Sequence, residues 1–501
     1  MLPRTPAGAG QASGRLVATG AGAALPLAFA PFGLSPLALL SLAALFLCWD
    51  CPPREAARRG FLFGAAAFAT GTWWLYISVR LVGGTPLPVA WLLLGGLVAI
   101  MAVHIAAAGW LVARLRADSA VAANLLLAPG AWLLAEWLRG WILTGFPWLS
   151  IGYGQIDGPL AAWAPVGGVY AVTFVAALLA GSLATLVRGS RRERFTALMI
   201  AAVLALATFA VGRQSWVAPA GEPLRVSLVQ GAVPQLLKWA PGERRATMDL
   251  YRDMTAGLGG DLVVWPEAAV PAPDDLVAGY LDDLRALARE RGFQLLVGIL
   301  THDPDTDEYR NSLLALGEAA GVYHKRHLVP FGEFFPVPDA VRRWMRMMNL
   351  PYADLARGER RQAPLVAGGV ALAPTICYED AYGAEQLGFL PAAGLLVNVS
   401  NDAWFGDTIA PHQHLQMARM RALETGRWMA RSTNTGITAF IDARGALRAT
   451  APSFQPFVLS GSVQPMAGAT PYARTGNLPV LLVAALAMVV AGARQRGRRR
   501  S

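Results

Sequence analysis

The sequence predicts two architectures in one chain: an α-helical membrane domain of about eight transmembrane helices, and an α/β layered domain between the last two of them. Three observations predict this. Apolar residues, 54% of the 501, are dense from about residue 16 to 212, thin out in the middle and return at 478–493. Arginines cluster at alternate ends of the apolar runs. From about residue 223, short β-like runs alternate with helical ones. Charged residues make up only 15% of the chain, against about 25% in ordinary soluble proteins, and the deficit lies in the apolar blocks.

The apolar runs give eight spans, at about 16–31, 34–49, 58–79, 88–113, 121–138, 166–187, 195–212 and 478–493. The first two are short, meet at Pro31–Gly33 and read as a hairpin. The alternative for the first is a cleaved signal peptide, since Ala28-Phe29-Ala30 resembles a cleavage site. The apolar run that follows at once favours the uncut hairpin. The domain boundaries expected are 1–212 for the membrane domain, 213–477 for the α/β domain, and 478–501 for a last helix with a basic tail.

Arg54, Arg58 and Arg59 follow the second span, Arg114 and Arg116 the fourth, Arg188, Arg191, Arg192 and Arg194 the sixth, and Arg494, Arg496, Arg498, Arg499 and Arg500 the eighth. Positive charge accumulates on the cytoplasmic side of membranes. Both termini are therefore expected inside and residues 213–477 outside. The net charge of +10 belongs to these loops, which argues against nucleic acid as a partner. Trp141, Phe146, Trp148, Tyr153 and Trp163 suit interfacial anchoring. Glu136 and Arg139 read as a structural pair at i, i+3. Cys48 and Cys51 form a C-x-x-C without the βαβ setting a redox motif needs.

In the middle region the expected strands are Leu224–Val229, Asp261–Trp265, Gln294–Leu300, Ser312–Leu316, Val322–Lys325, Val370–Ile376, Leu395–Val399 and Ile437–Ile441. Helices are expected at Met248–Leu258 and Asp274–Arg291, and at about 381–390 and 411–429. Interleaved strands and helices argue for a layered α/β domain.

Three islands carry chemistry. Trp265-Pro266-Glu267 ends a strand, Tyr323–Glu333 follows one, and Ile376-Cys377-Tyr378-Glu379-Asp380 ends another. Ligands gather at the carboxyl ends of strands in such sheets. Of 43 basic residues only Lys238 and Lys325 are lysines. A position needing charge alone could be arginine, and a compact ammonium is a different reagent. Cys377 reads either as a small buried hydrophobe or as a nucleophile. As a nucleophile it needs a base and a holder of oxyanion charge, roles that Glu267 and Lys325 can fill.

Glu, Lys and Cys in this order, each at a strand end, resemble the nitrilase superfamily. With spans on both sides the resemblance narrows to its membrane-embedded branch, the apolipoprotein N-acyltransferases. It runs through Gln230-Gly231, Pro234-Gln235, Lys238-Trp239, Trp265-Pro266-Glu267, His327–Glu333, Ile376–Glu379 and Ser400-Asn401-Asp402-Ala403-Trp404-Phe405-Gly406. One departure is Ala232, where the family often carries Asn.

The resemblance implies an α-β-β-α sandwich with a catalytic triad of Glu267, Lys325 and Cys377. It implies an enzyme of the bacterial inner membrane with its catalytic domain in the periplasm. The thiolate of Cys377 would take an acyl chain from a phospholipid, typically phosphatidylethanolamine. The thioester would then pass the chain to the α-amine of an S-diacylglyceryl-cysteine on an apolipoprotein. Lys325 and backbone N–H groups near Tyr378 would hold the oxyanion. Glu333 and Glu379 would support Lys325 or hold the amine, with Asn311 and Trp239 as further supporting residues and Trp404-Phe405 as a gate. No metal or cofactor is implied, and a monomer is expected. Trp344–Leu350 is apolar and Met-rich, as suits a lipid-facing arm.

Two rival readings remain. A membrane-tethered nitrilase or amidase would share the triad but need no lipid-facing entrance. A transporter or scaffold with an inactive enzyme fold would need a polar pathway that the spans do not display.

Overall fold

The computed structural model describes residues 7–116, 119–240, 242–335, 343 and 354–500. The chain forms two compact units. One comprises Met1–Ser215, Thr408–Gln416 and Arg474–Ser501, and the other Trp216–Asp407 and Met417–Ala473. The expected α/β domain, 213–477, therefore contributes a nine-residue stretch to the helical unit.

The helical unit carries α-helices at Ala7–Ala24, Pro36–Cys48, Pro53–Gly71, Leu87–Leu115, Ala128–Arg139, Ala164–Arg188, Arg191–Gly212 and Leu478–Arg500. Three stretches are long and apolar enough to cross a membrane: Leu87–Leu115, Pro159–Arg188 and Arg191–Gly212. Pro36–Cys48 and Leu478–Ala493 are apolar but shorter. Pro53–Gly71 opens on Arg54, Glu55, Arg58 and Arg59, which dilutes its apolar run.

Glu136 and Arg139, both buried inside this unit, are paired, as burial requires. Glu136 and Arg139 form the expected ion pair at 3.8 Å. Glu136 also accepts from Thr173 Oγ1 at 2.7 Å, and Arg139 donates to the carbonyls of Phe146 and Trp148 at 2.9 and 2.6 Å. Cys51 Sγ donates to the Cys48 carbonyl at 3.3 Å, and neither cysteine is in a disulfide. From the 408–416 stretch, Gln413 Oε1 accepts from Trp74 Nε1 at 3.2 Å and Trp148 Nε1 at 2.7 Å, and Gln416 Oε1 accepts from the Ala30 N–H at 3.3 Å.

The second unit is built on two main sheets. Its strands are β1 Val217–Pro219, β2 Leu224–Gln230, β3 Leu262–Val264, β4 Val270–Pro273, β5 Gln294–Asp303, β6 Glu308–Leu316, β7 Gly321–His324, β8 Leu365–Ala367, β9 Val370–Ile376, β10 Leu395–Ser400, β11 Trp428–Thr433, β12 Ala439–Ile441, β13 Leu447–Thr450, β14 Phe457–Val463 and β15 Met466–Gly468. The seven-stranded sheet runs β14-β2-β3-β5-β6-β7, with β4 paired to β5, and the six-stranded sheet runs β13-β12-β11-β10-β9-β8. In each, the central strands are parallel: β2, β3 and β5 in one, β9, β10 and β11 in the other.

Strands buried on both faces read as continuous apolar runs, as Leu262–Val264 and Leu395–Val399 do, and helices Arg244–Ala256 and Ala278–Arg291 cover the first sheet through Tyr251, Leu281, Leu284 and Ala288. Ser432 Oγ donates to the Val229 carbonyl at 3.1 Å, joining one sheet to the other.

The helix expected over 411–429 stops at Thr425. Gly426 follows with φ of +64°, a left-handed exit that glycine adopts without steric cost. The chain then turns into β11, a strand the sequence pattern hid behind the helix. The helix expected over 381–390 is two short turns, Gly383–Gln386 and Leu387–Phe389. The apolar arm expected at Trp344–Leu350 lies outside the described residues.

Candidate active site

The carboxyl ends of β3 and β9 deliver Glu267 and Cys377, and the residue after β7 is Lys325. All three are buried. Glu267 sits in a turn whose next residue, Ala268, has φ of +47°. Gly298 on β5 lies directly beneath. A Cβ there would be 2.2 Å from the Pro266 carbonyl oxygen and 2.8 Å from Glu267 Cα. Only glycine lets the turn settle so close to the sheet.

Cys377 leaves β9 with φ of +52° and opens the short turn Cys377–Ala381. A non-glycine residue in this region costs on the order of 1–3 kcal/mol and marks functional turns. The thiol at this reversal feels the charges of Glu267, Lys325 and Glu333.

Lys325 Nζ lies 3.0 Å from Glu267 Oε1 and 2.9 Å from Glu333 Oε1. Asn311, in the middle of β6, donates Nδ2 to the same two oxygens at 2.8 and 2.9 Å. Glu333 Oε2 accepts from the Val329 N–H at 2.8 Å. Glu267 Oε2 accepts from the Asn401 N–H at 2.9 Å. The Glu267 carboxylate thus holds three donors from three separate segments.

The electrostatics follow from this geometry. Burial alone would push the Glu267 carboxyl up, but the Lys325 ammonium, the Lys325 and Asn311 hydrogen bonds and the charge of Lys238 hold it below its ordinary value. Burial would likewise lower Lys325, yet the charges of Glu267 and Glu333 keep it well above the usual lysine range. Burial, followed by the charge of Glu267, pushes the Cys377 thiol well up against the pull of Lys325. The site is therefore an ionised carboxylate, a charged ammonium and a neutral thiol.

Glu379 stands elsewhere in the network. Its carboxylate accepts from Tyr323 Oη at 2.9 and 3.0 Å, from the N–H groups of Arg326 and His327 at 2.7 and 3.2 Å, and from the Ile376 N–H at 2.8 Å. It staples the end of β9 to the segment after β7, and its hydrogen bonds go to these groups and not to Lys325. Burial pushes its carboxyl up despite the nearby Arg326 charge. Tyr378 is buried, its ring edge-on to Tyr382 at 5.2 Å and to His327 at 5.7 Å. Trp239 and Trp404 are exposed and Phe405 is half-buried.

Arg431 of β11 is fully buried. Its guanidinium meets Asp380 at 2.9 Å and Asp402 at 3.2 Å, tying the Cys377 turn to the 401–404 segment. Sequence reading missed Arg431 because β11 was hidden, and missed the Asn401 N–H because a backbone donor has no residue signature. At the expected departure, Ala232 has φ of +52° and donates its N–H to the Asn434 carbonyl at 3.0 Å. Asparagine is enriched in that conformation. Among the described residues no group of three or more His, Cys, Asp or Glu is placed to hold a metal ion.

A buried thiol beside a carboxylate that can take its proton, and an ammonium that can face an oxyanion, is equipped for acyl transfer through a covalent intermediate. Comparison with known proteins agrees with this chemistry. The carbon-nitrogen hydrolase family matches residues 225–472, and the apolipoprotein N-acyltransferase N-terminal domain matches residues 21–182. The apolipoprotein N-acyltransferase of Methylococcus capsulatus is 46% identical over 484 residues, covering 96% of each chain. That of Azotobacter vinelandii is 46% identical over 497 residues, covering 97% of this chain and 96% of its own. That of Pseudomonas putida is 45% identical over 482 residues, covering 94% and 95%. With both regions matched and such identity along nearly its whole length, the chain belongs to the apolipoprotein N-acyltransferase family.

Proposed function

We propose that the enzyme transfers an acyl chain from a membrane phospholipid to the N-terminal amine of a diacylglyceryl apolipoprotein, with Cys377 as the acyl carrier. The observation that carries this is the buried Glu267–Lys325 pair, 3.0 Å apart, around a thiol held in a left-handed turn. Glu267 takes the Sγ proton as sulfur attacks the ester carbonyl. Lys325 and the backbone N–H of Tyr378 stabilise the tetrahedral oxyanion. Collapse breaks the ester C–O bond, and the protonated Glu267 returns the proton to the departing lysophospholipid oxygen. In the second half the amine attacks the thioester carbonyl, Glu267 accepts its proton, the C–S bond breaks and the thiol is regenerated.

Phosphatidylethanolamine is the proposed donor, and the enzyme acts as a monomer. Both substrates are lipids, which accounts for joining a hydrolase-like fold to membrane helices. The eight helices form the proposed spans, supported by arginines at alternate exits. This puts both termini in the cytoplasm and 213–477 in the periplasm of the bacterial inner membrane. Exposed Trp239 and Trp404, with Phe405, are the proposed lipid-facing rim.

Intact-protein mass spectrometry after incubation with phosphatidylethanolamine tests the reading. The expected result is a hydroxylamine-labile acyl mass in the wild type, absent from Cys377→Ala, which transfers to a diacylglyceryl peptide amine. No adduct with accessible lipid would leave the tethered amidase as the better reading.

A further inference from the structure

The chain contains two lysines among 43 basic residues, and both end at Glu267. Lys325 holds its carboxylate. Lys238, at the end of the short helix Gln235–Lys238, donates Nζ to its backbone carbonyl at 3.2 Å. That helical turn is inverted relative to the usual partition. Leu236, Leu237 and Trp239 are 72%, 48% and 48% exposed, whereas Lys238 is 0% exposed. Lysine is rarely fully buried without a partner. Among the described residues no carboxylate oxygen lies within ion-pair distance of Nζ.

We propose that Lys238 is a positioning residue for the general base. Its ammonium anchors the peptide that carries Glu267, and its charge keeps the carboxylate ionised while Lys325 turns to the oxyanion. The inference rests on the reading of Glu267 as the base. Three features argue for it beyond packing. The contact is to the base's own carbonyl. The chain uses arginine elsewhere, so a compact ammonium is specific to the two positions around Glu267. Burial brings Lys238 down to about 8, against the opposing pull of Glu267, so near neutral pH it remains charged at a cost to the fold that an apolar isostere would remove. Around the base stand Lys325, Glu333, Cys377 and Lys238, with Asp402 also acting on the thiol.

The test uses full-length Lys238→Met in detergent, with three readouts. The first is the thermal midpoint. The second is the pH dependence of Cys377 alkylation by iodoacetamide, resolved by peptide from Cys48 and Cys51. The third is acyl-enzyme formation from phosphatidylethanolamine. The expected result is a midpoint equal to or above wild type, with alkylation and acylation slower by about tenfold and the acid limb moved to higher pH by roughly one unit. If Lys238→Met is not recovered folded, Lys238→Gln, which keeps a donor for the carbonyl, reads the same limb. An unmoved acid limb, or loss of folded protein in both variants, overturns the proposal and makes Lys238 a packing residue. Absence of an adduct in the wild type would instead overturn the acyl-transfer reading, and the alkylation profile would still decide the role of Lys238.

Discussion

The backbone N–H of Asn401 donates to Glu267 Oε2 at 2.9 Å, so a residue just past β10 in one sheet holds the carboxylate that ends β3 in the other. With Lys325 and Asn311 on Oε1, three of about four lone-pair positions of the carboxylate are filled. The remaining position, on Oε2, is where a thiol proton can be accepted.

Glu267→Gln keeps the shape but has a single acceptor oxygen for the donors now shared by two, and it cannot take a proton. Acyl-enzyme formation should fall by roughly 10²–10⁴-fold, measured as the rate of adduct growth by mass spectrometry. A loss below about threefold would remove Glu267 from the base role.

Gly298→Ala should displace Glu267 while leaving its side chain unaltered, because the new Cβ meets the Pro266 oxygen and Glu267 Cα. A shift near 1 Å can cost about 100-fold in rate. The expected pattern is a lower rate with little change in donor concentration dependence.

Glu333→Gln removes one of two carboxylates that raise Lys325. The sign is fixed: with less negative charge beside it, the ammonium loses its proton at lower pH. The alkaline limb of acyl-enzyme formation should move down, with the acid limb, set by Glu267, little changed. In the wild type both shifts point outward, Glu267 below and Lys325 above their usual values, so neither group should bend the rate between about pH 6 and 7, and a first decline near pH 8 belongs to Lys238.

Cys377 should show no thiolate near neutral pH, since burial and the charge of Glu267 push its proton affinity well up. Thiolate absorbance in the far ultraviolet, compared with Cys377→Ala, checks this. A neutral-pH thiolate signal would mean a preformed ion pair in place of base-assisted attack.

Arg431→Met leaves Asp380 and Asp402 buried without their shared cation. Breaking a buried pair on one side costs about 3–5 kcal/mol, so the thermal midpoint should fall clearly. Arg431 also tethers the Cys377 turn to the 401–404 segment, so the folded fraction should also acylate more slowly.

The strands that carry the site were legible because each is a short apolar run ended by a charged or reactive residue. Val370–Ile376 matches its expected range, and Glu267, Lys325 and Cys377 lie just beyond strands. Tertiary contacts were not legible. Glu379 looked like a partner for Lys325 or the amine by adjacency, yet its oxygens serve Tyr323 and three backbone N–H groups. Lys238 stood out only as one of two lysines, and only the fold brings its ammonium to the Glu267 carbonyl. Strand β11 followed a helix too closely for periodicity to separate them, and one glycine marks the boundary.

Residues 408–416 belong to the helical unit although they lie in the middle of the catalytic half of the sequence. The chain therefore passes between units at four places, and no single pair of cuts yields the catalytic part alone. A truncation spanning 216–473 would keep Gln413, His414 and Gln416 while discarding Trp74, Trp148 and Ala30, against which they are paired. Solubilising this enzyme by deleting its membrane helices should yield aggregated or locally unfolded protein. Homologous recombination that swaps the two halves between relatives should succeed only when the 408–416 stretch travels with the helices it inserts among.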